Sequence, residues 1–175
     1  MKVYGYFIRI ILLSSLFCSF FVTPVYGESR SEAVYTEFSD QDLVSLLENH
    51  NKKKSPKEAR FEEVRILSEG TIFVRSKFIP AFLNNNTKKD KTLDLFLPLP
   101  LSNNYPNLTY KDVLQLNNAY SLKAALVENG SEKKIVFRFS LSTASGITKD
   151  YVIDSVFNFL FESGLFLLEL DKLKK

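Results

Sequence analysis

The sequence predicts an α+β fold, in which one antiparallel sheet packs with helices in a single domain in the order α-β-β-β-α-β-β-α. The strand-like runs come in groups of three and two and do not alternate with helices, which favours antiparallel pairing over a doubly wound parallel sheet. Three other stretches combine a helical apolar period with a polar capping residue at their start.

Each predicted helix begins at a hydroxyl residue. In "FSDQDLVSLLENHN", Ser39 is a suitable N-cap and Asp42 lies three residues further on, the spacing of a capping box. Thr109 precedes the short helix "YKDVLQLNNAY", and Thr148 precedes the final helix. Pro56 lies beyond the first helix in "NKKKSPKE", where it ends the helical pattern.

Three strands are predicted between the first two helices. "ARFEEVRIL" and "TIFVRSKFI" flank the turn at residues 68–70 and form a hairpin, and a polar loop follows at residues 84–91. "TLDLFLPLPL" alternates, with its odd-numbered leucines on one face and Asp94 and Phe96 on the other. Because proline cannot donate to a sheet ladder, Pro98 and Pro100 predict that this strand ends early or lies at a sheet edge.

The last two strands are the clearest hairpin in the chain. "SLKAALVE" and "KKIVFRFSLS" both alternate, and Asn129-Gly130 between them is a dipeptide typical of two-residue hairpin turns. In the second of these strands, Arg138 and Ser140 are predicted to lie opposite a buried face made of Ile135, Phe137, Phe139 and Leu141.

Residues 1–27 are predicted to be a cleaved export signal. Lys2 and Arg9 precede or flank an apolar run at residues 10–22, which is shorter than a comfortable membrane span and is followed by no stop-transfer pattern. We therefore expect a periplasmic or extracellular protein with an irregular lead-in at residues 28–38 and an α+β domain at residues 39–175.

Cys18 is the only cysteine, and it lies within the predicted signal. The sequence favours its loss with the signal, since a lipoprotein signal would place a small residue where Phe17 stands. The alternative is a diacyl modification at Cys18, which would tether the protein to a membrane. After removal of the signal no thiol remains for a disulfide, a zinc site or a nucleophile.

The charge balance argues against nucleic acid as a partner. Lys2 and Arg9 are two of 23 basic residues, so 21 bases and 20 acids follow the signal, a net charge of about +1. The basic clusters at residues 52–54, 88–91 and 172–175 are expected to be solvated. The alternative is that they form a weak patch for anionic lipid or cell-wall polymer.

The sequence contains no assembled catalytic group, and we expect a non-enzymatic protein without cofactor or metal. His50, the lone histidine, is interpreted as a solvated residue near a helix C-terminus. Glu62 and Glu63 are adjacent in a strand and are expected to point to opposite faces. Asp154 and Glu162 lie about 12 Å apart along a helix, which exceeds the spacing of paired carboxylates in glycosidases.

The second half of the chain resembles a known family. "YKDVLQLNNAYSLKAALVENGSEKKIVFRFSLSTASGITKDYVIDSVFNFLF" is similar to the YbjN-like family in its helix ending in "LN", its acidic-glycine turn and its "GIT" helix start. The family's fold is shared with type III secretion chaperones, and "SDQDLVSLLENHN" is a looser match in the first half. The resemblance implies a small, dimeric, protein-binding fold with no cofactor and no defined catalytic residues. Members are described as candidate sensory-transduction regulators or chaperone-like proteins.

The final helix carries the predicted contact surface. Its acids interrupt the apolar run and argue against a membrane span, and its opposite side is expected to pack on the sheet. Gly164 is expected to kink or end the helix. Phe161 and Leu165 lie toward the polar side, and together with Phe166 they are the predicted contact residues for a dimer or partner.

From the sequence we therefore expect an exported, non-enzymatic protein-binding or chaperone-like module that forms a homodimer and binds an unidentified protein. The alternative is a peripheral membrane-surface or lipid-anchored envelope protein, held by the C-terminal helix, its basic tail or a lipid on Cys18.

Overall fold

The structure is a computed structural model that describes residues 32–52, 60–77, 79–101, 105, 108–118, 120, 122–129 and 132–172. The described elements belong to one unit, Ala33–Lys175. The predicted export signal with Cys18, Pro56 and its neighbours, and the basic tail at residues 173–175 lie outside the described residues.

In the described part of the chain, six antiparallel strands form the main sheet and three helices accompany it. The sheet order is β2-β3-β4-β5-β7-β6, with β2 (Glu63–Ser68), β3 (Thr71–Arg75), β4 (Pro80–Asn86), β5 (Thr92–Pro100), β6 (Lys123–Asn129) and β7 (Glu132–Ser142). A separate two-stranded sheet pairs β1 (Val34–Tyr35) with β8 (Ile147–Thr148). The helices are α1 (Asp40–Lys52), α2 (Tyr110–Asn117) and α3 (Lys149–Asp171). The predicted α+β class, an antiparallel sheet packed with helices, is confirmed.

The helix starts follow from the capping residues. Asp42 accepts hydrogen bonds from the backbone N–H (3.2 Å) and the hydroxyl (2.6 Å) of Ser39, and its own N–H donates back to that hydroxyl at 3.1 Å. Thr109 and Asp112 form the same reciprocal box at the start of α2. Thr148 accepts from the Tyr151 N–H at 3.2 Å and caps α3.

Three features of the sheet differ from the expectations. The lead-in is not wholly irregular, because it contains β1. The run after residue 79 forms β4, between β3 and β5, although it begins with a proline and ends in asparagines. β5 lies inside the sheet, between β4 and β7, and not at its edge. Its pairing with β4 ends at Phe96, and Pro98 and Pro100 lie beyond that point. The prolines therefore occupy the part of β5 that pairs on one side only.

The core lies between one face of the sheet and the helices. Strand residues on this face are almost completely buried: Ile72, Val74, Ala81, Leu83, Leu93, Leu95, Leu97, Leu126, Ile135 and Phe137. Leu43 and Leu47 of α1 and Val152, Val156, Phe159 and Leu160 of α3 pack in the same cluster. The alternation predicted for β5 and β7 is confirmed for most positions, but Leu99 and Phe139 are only half-buried and Val136, on the opposite face of β7, is buried as well.

Helix α3 runs without interruption through Gly164 to Asp171, so the glycine does not end it. A Cβ at Gly164 would meet the Ile79 Cδ1 at 3.3 Å, so the glycine lets the segment before β4 approach the helix closely. By length and mean hydropathy (1.4) α3 could cross a membrane, a test that the core helix of a soluble protein also passes.

Candidate functional site

One side of α3 is apolar and remains uncovered by the described part of the chain. Phe161, Leu165 and Leu168 are 56%, 36% and 62% exposed, and the half-buried Phe157 lies one turn before Phe161. These four residues, called the α3 stripe below, recur every three or four positions and therefore lie on one side of the helix. Phe161 and Leu165 were predicted to face away from the core, and the structure places both at the surface.

The stripe forms one wall of a groove with a volume of about 610 Å³. Ile79, Leu160 and Gly164 also line it, and Ser76 and Lys77 come from the segment between β3 and β4. Because Gly164 has no side chain, it leaves room between successive turns of the helix. A concave, mostly apolar surface of this size is typical of a binding site for a small molecule or for side chains of another protein.

The polar rim of the groove is fixed by Arg60. Its guanidinium donates to the Asp154 carboxylate and lies over the Phe157 ring, with the Cζ atom 4.7 Å from the ring centroid. Phe157 in turn stacks on Phe161, with centroids 6.2 Å apart and ring planes 17° apart. The aromatic end of the groove is thus held in place by an ion pair and a cation–π contact before any partner binds.

Phe166 does not belong to this surface. Its side chain is completely buried, with its ring edge-on to Phe137 at 5.0 Å between centroids and tilted against Tyr120 at 5.5 Å. The prediction that Phe166 contacts a partner is therefore corrected. A residue directly after an exposed position lies about 100° around the helix, and here that rotation turns Phe166 into the core.

The sequence alone did not single out Phe157 and Leu168 as groove residues. Their signal was present in the spacing, since residues 157, 161, 165 and 168 follow the helical repeat. It was hidden because nearly every position of α3 between the acids is apolar, so composition does not separate a buried stripe from an exposed one.

The titratable residues considered as catalytic candidates have structural roles. Half-buried His50 packs its ring against Phe61, with centroids 6.4 Å apart, so it is less solvated than expected. Glu62 and Glu63 both reach Arg75, at 3.4 and 3.3 Å, although opposite faces were expected. Their proximity to one guanidinium makes them part of an ion-pair network at the start of β2.

The acids of α3 also bind other elements. Asp154 pairs with Arg60, and the Glu162 carboxylate accepts from the Leu122 N–H at 3.2 Å. In the basic loop, Lys91 pairs with Glu37 while Lys88 and Lys89 are exposed. Within the described ranges no group of three or more histidine, cysteine or acidic residues could hold a metal. The expectation of no cofactor stays a prediction.

One carboxylate on the other face of the sheet is strongly hydrogen-bonded. Burial acts to raise the pKa of Asp94, but hydrogen bonds from Ser140, Asn86 and Thr92 outweigh it and hold the pKa below its usual value. The Asn86 amide donates at 2.9 Å and the Thr92 hydroxyl at 3.0 Å. Asp94 is thus a charged anchor that ties β4, β5 and β7 together.

Comparison with solved structures identifies the fold. The crystal structure of YbjN from E. coli, a candidate transcription regulator, superposes with a TM-score of 0.58 at 16% identity, over 80% of this chain and 96% of that one. The chain has a YbjN-like fold. An uncharacterised protein from Methanothermobacter thermautotrophicus superposes with a TM-score of 0.51 at 12% identity, over 74% of this chain and 99% of that one. No family model and no curated protein matches the sequence.

Proposed function

We propose that this chain is an exported, non-enzymatic, chaperone-like protein-binding module that pairs with a second copy of itself through the α3 groove. The observation that carries the proposal is the exposed α3 stripe beside an apolar groove. Two structures with the same fold carry no enzyme name, which agrees with a binding role.

The groove suits a polypeptide partner because the apolar residues of the α3 stripe recur every three or four positions along one helix. Amphipathic helices bind grooves through residues at such i, i+4 and i+7 positions. From Phe157 to Leu168 the stripe extends about 16 Å along the helix axis, roughly three turns. A contiguous exposed apolar patch of this length with a polar rim is typical of an interaction surface, whereas single exposed apolar residues are common on any protein.

A second copy is a suitable partner because the stripe is chemically self-complementary. In a two-fold contact the same patch meets itself, so aromatic and aliphatic side chains at Phe161 and Leu165 would cover their counterparts. The Arg60–Asp154 pair would lie at the rim, where charged groups stay accessible to water. We expect a modest interface and a dimer that forms in the micromolar range.

Light scattering behind size exclusion tests this pairing with matched variants. Phe161→Asp and Leu165→Asp place a charge in the apolar contact and should shift the protein to monomer. Leu114→Asp is the control, because Leu114 is 64% exposed on α2 and lies outside the groove. A wild-type protein that is strictly monomeric across the micromolar range would contradict the dimer, as would equal effects of all three variants.

Export rests on residues 1–27 and has its own test. The intact mass of protein purified from its native source should correspond to a chain that begins near Glu28. A mass that includes the first residues would remove export from the proposal, and an added diacyl mass at Cys18 would favour the lipid-anchored alternative.

The exposed stripe also supports a second candidate, a protein that lies on a membrane surface. α3 is apolar enough for contact with a bilayer, and Phe161, Leu165 and Leu168 would enter the interface. Flotation with anionic vesicles decides between the two. Co-flotation that is lost in Phe161→Asp and kept in Leu114→Asp would favour the membrane, and failure to float removes this candidate.

A further inference from the structure

The face of the main sheet that points away from the helices carries a row of aromatic and basic side chains. Arg65, Phe73, Phe82, Phe96, Arg138 and Lys123 are direct cross-strand partners in turn, so they cross all six strands in one line. Below, this line is called the sheet-face row. Its three phenylalanines are only half-buried, whereas the core-face residues that neighbour them on each strand are fully buried.

The two ends of the sheet-face row differ in charge. Arg65 pairs with Glu63 at 2.8 Å and lies over the Phe73 ring at 5.1 Å from its centroid. At the other end, Arg138 and Lys123 face each other directly and are both exposed, and neither makes an ion pair with any described residue. Like charges directly opposite each other destabilise a sheet, so an anionic group bound between Arg138 and Lys123 would relieve their repulsion.

Other groups on this side of the sheet offset the positive charge of that end only in part. Asp94 is the nearest acid along β5 and keeps its negative charge, but it is hydrogen-bonded to Ser140, Asn86 and Thr92 and forms no ion pair with Arg138 or Lys123 in the described part of the chain. Glu132 lies six residues before Arg138 on β7, and exposed Lys134 lies between them on the same face. The β6–β7 half of the face therefore keeps an excess of positive charge.

Protection of a sheet edge explains only part of this arrangement. A lysine on an edge strand such as β6 discourages pairing with other sheets. That argument covers Lys123. It does not cover Arg138, which lies on the interior strand β7, or the phenylalanines of β3, β4 and β5.

The ring geometry favours a polypeptide over a nucleic acid. Phe82 and Phe96 stack on each other, with centroids 5.0 Å apart and planes 23° apart, and Phe73 lies edge-on to Phe82 at 6.0 Å. Because side chains stand roughly perpendicular to a sheet, rings that stack along the row turn their edges to the outside. A nucleobase needs a free ring face for stacking, whereas ring edges carry partial positive charge and suit apolar and acidic side chains.

We propose that the sheet-face row is a second docking surface, distinct from the α3 groove, for a segment of a partner protein that carries both acidic and apolar residues. The apolar residues cover Phe82 and Phe96, and a carboxylate binds between Arg138 and Lys123. Helices and sheet-face row lie on opposite sides of the sheet, so this docking is independent of pairing through α3.

NMR titration of the full, ¹⁵N-labelled chain tests the proposal with four probes. These are a short peptide that alternates glutamate and leucine, the same peptide with lysine for glutamate, oligothymidylate, and phosphatidylglycerol vesicles. The glutamate peptide should perturb amides of β5 and β7 around Phe96 and Arg138, and added salt should weaken the effect. The lysine peptide should not perturb them.

Charge-reversal variants locate the binding. Arg138→Glu combined with Lys123→Glu should weaken glutamate-peptide binding roughly tenfold or more. Lys111→Glu, an exposed lysine on α2, is the control for a change of charge and should leave binding unchanged. Because both reversed residues are exposed, the double variant is expected to fold, and its amide spectrum checks this.

Three results would overturn the proposal. One is the absence of any perturbation along the row up to about 1 mM glutamate peptide. Another is equal binding of the two peptides. The third is a response of the same amides to oligothymidylate or vesicles and not to the glutamate peptide, which would assign the row to nucleic acid or membrane.

Discussion

Two buried hydroxyls show how single residues decide the stability of this chain. Thr87 is fully buried, and its Oγ1 accepts from the Phe38 N–H at 3.0 Å and donates within reach of the Phe38 carbonyl (3.2 Å) and the Asn85 side-chain oxygen (2.8 Å). Ser163 is equally buried in α3, but its hydroxyl has no hydrogen-bond partner among the described residues. A buried polar group without a partner destabilises a fold, whereas a satisfied one contributes to it.

Removal of these two hydroxyls should therefore have opposite consequences. Thr87→Val keeps the shape but leaves the Phe38 N–H without its acceptor, and we expect a loss of about 1 to 3 kcal/mol in unfolding free energy. Ser163→Ala removes only an unsatisfied group and should leave stability unchanged or raise it. Urea unfolding of both variants measures the difference, and a larger loss in Ser163→Ala than in Thr87→Val would contradict the hydrogen-bond assignment.

Asp94 predicts how stability depends on pH. Its pKa is lowered in the folded chain, so it contributes stability above the pKa of an unfolded aspartate, about 3.9, which is lost as pH falls through the lower folded value. Wild-type stability should fall below about pH 4, and Asp94→Asn should reduce this dependence. Urea unfolding of both proteins from neutral pH to below about pH 4 measures how the unfolding free energy depends on pH. Identical pH dependence in both proteins would exclude Asp94 as a contributor.

At the scale of elements, α3 has two sides with different roles. Phe166 fills the core against Phe137 and Tyr120, whereas Phe161 lines the groove and is more than half exposed. Phe166→Ala should therefore lower the unfolding free energy by about 3 to 5 kcal/mol because it opens a cavity. Phe161→Ala should change the stability of the monomer by less than about 0.5 kcal/mol.

Thermal or urea unfolding at a concentration too low for the proposed dimer compares these two variants. Since both substitutions remove the same side chain from the same helix, helix propensity cancels in the comparison. Similar losses in the two variants would mean that the two sides of α3 are not distinct.

The elements that were predictable from sequence are those with strong local signals. The three caps, the β2–β3 hairpin and the β6–β7 hairpin depend on residues close in sequence, and all are present. β4 was missed because Pro80 and the asparagines at its end are turn formers, and its pairing with β3 and β5 outweighs that preference. The interior position of β5 could not be predicted, because the partner on each side is set by the whole sheet.

The α3 stripe was only partly predictable for a related reason. Periodicity placed Phe161 and Leu165 outside the core, but the boundary of the buried stripe depends on which helix turns meet the sheet. Phe166 was therefore predicted to be a contact residue, whereas it is buried in the core. The sheet-face row was not predicted at all, because strand register across six strands is not contained in any local pattern.

For the whole molecule, the helix side and the open side of the sheet present two chemically different surfaces. The α3 groove is apolar, while the sheet-face row combines aromatic edges with Arg138 and Lys123, which form no ion pair among the described residues. If two copies pair through α3, each copy keeps its open sheet face outward. The proposed dimer would then offer two equivalent docking surfaces, and a partner with two acidic segments would gain avidity.

Cysteine cross-linking tests the α3 contact most directly, because Cys18 is the only native cysteine. In a Cys18→Ser background, Phe161→Cys and Leu165→Cys place a single thiol on the stripe, and Leu114→Cys places one on α2 as the control. Under mild oxidation at micromolar concentration, we expect covalent dimers from the two stripe variants and mainly monomer from the control. Equal cross-linking of all three variants, or none from either stripe variant, would contradict pairing through the α3 groove.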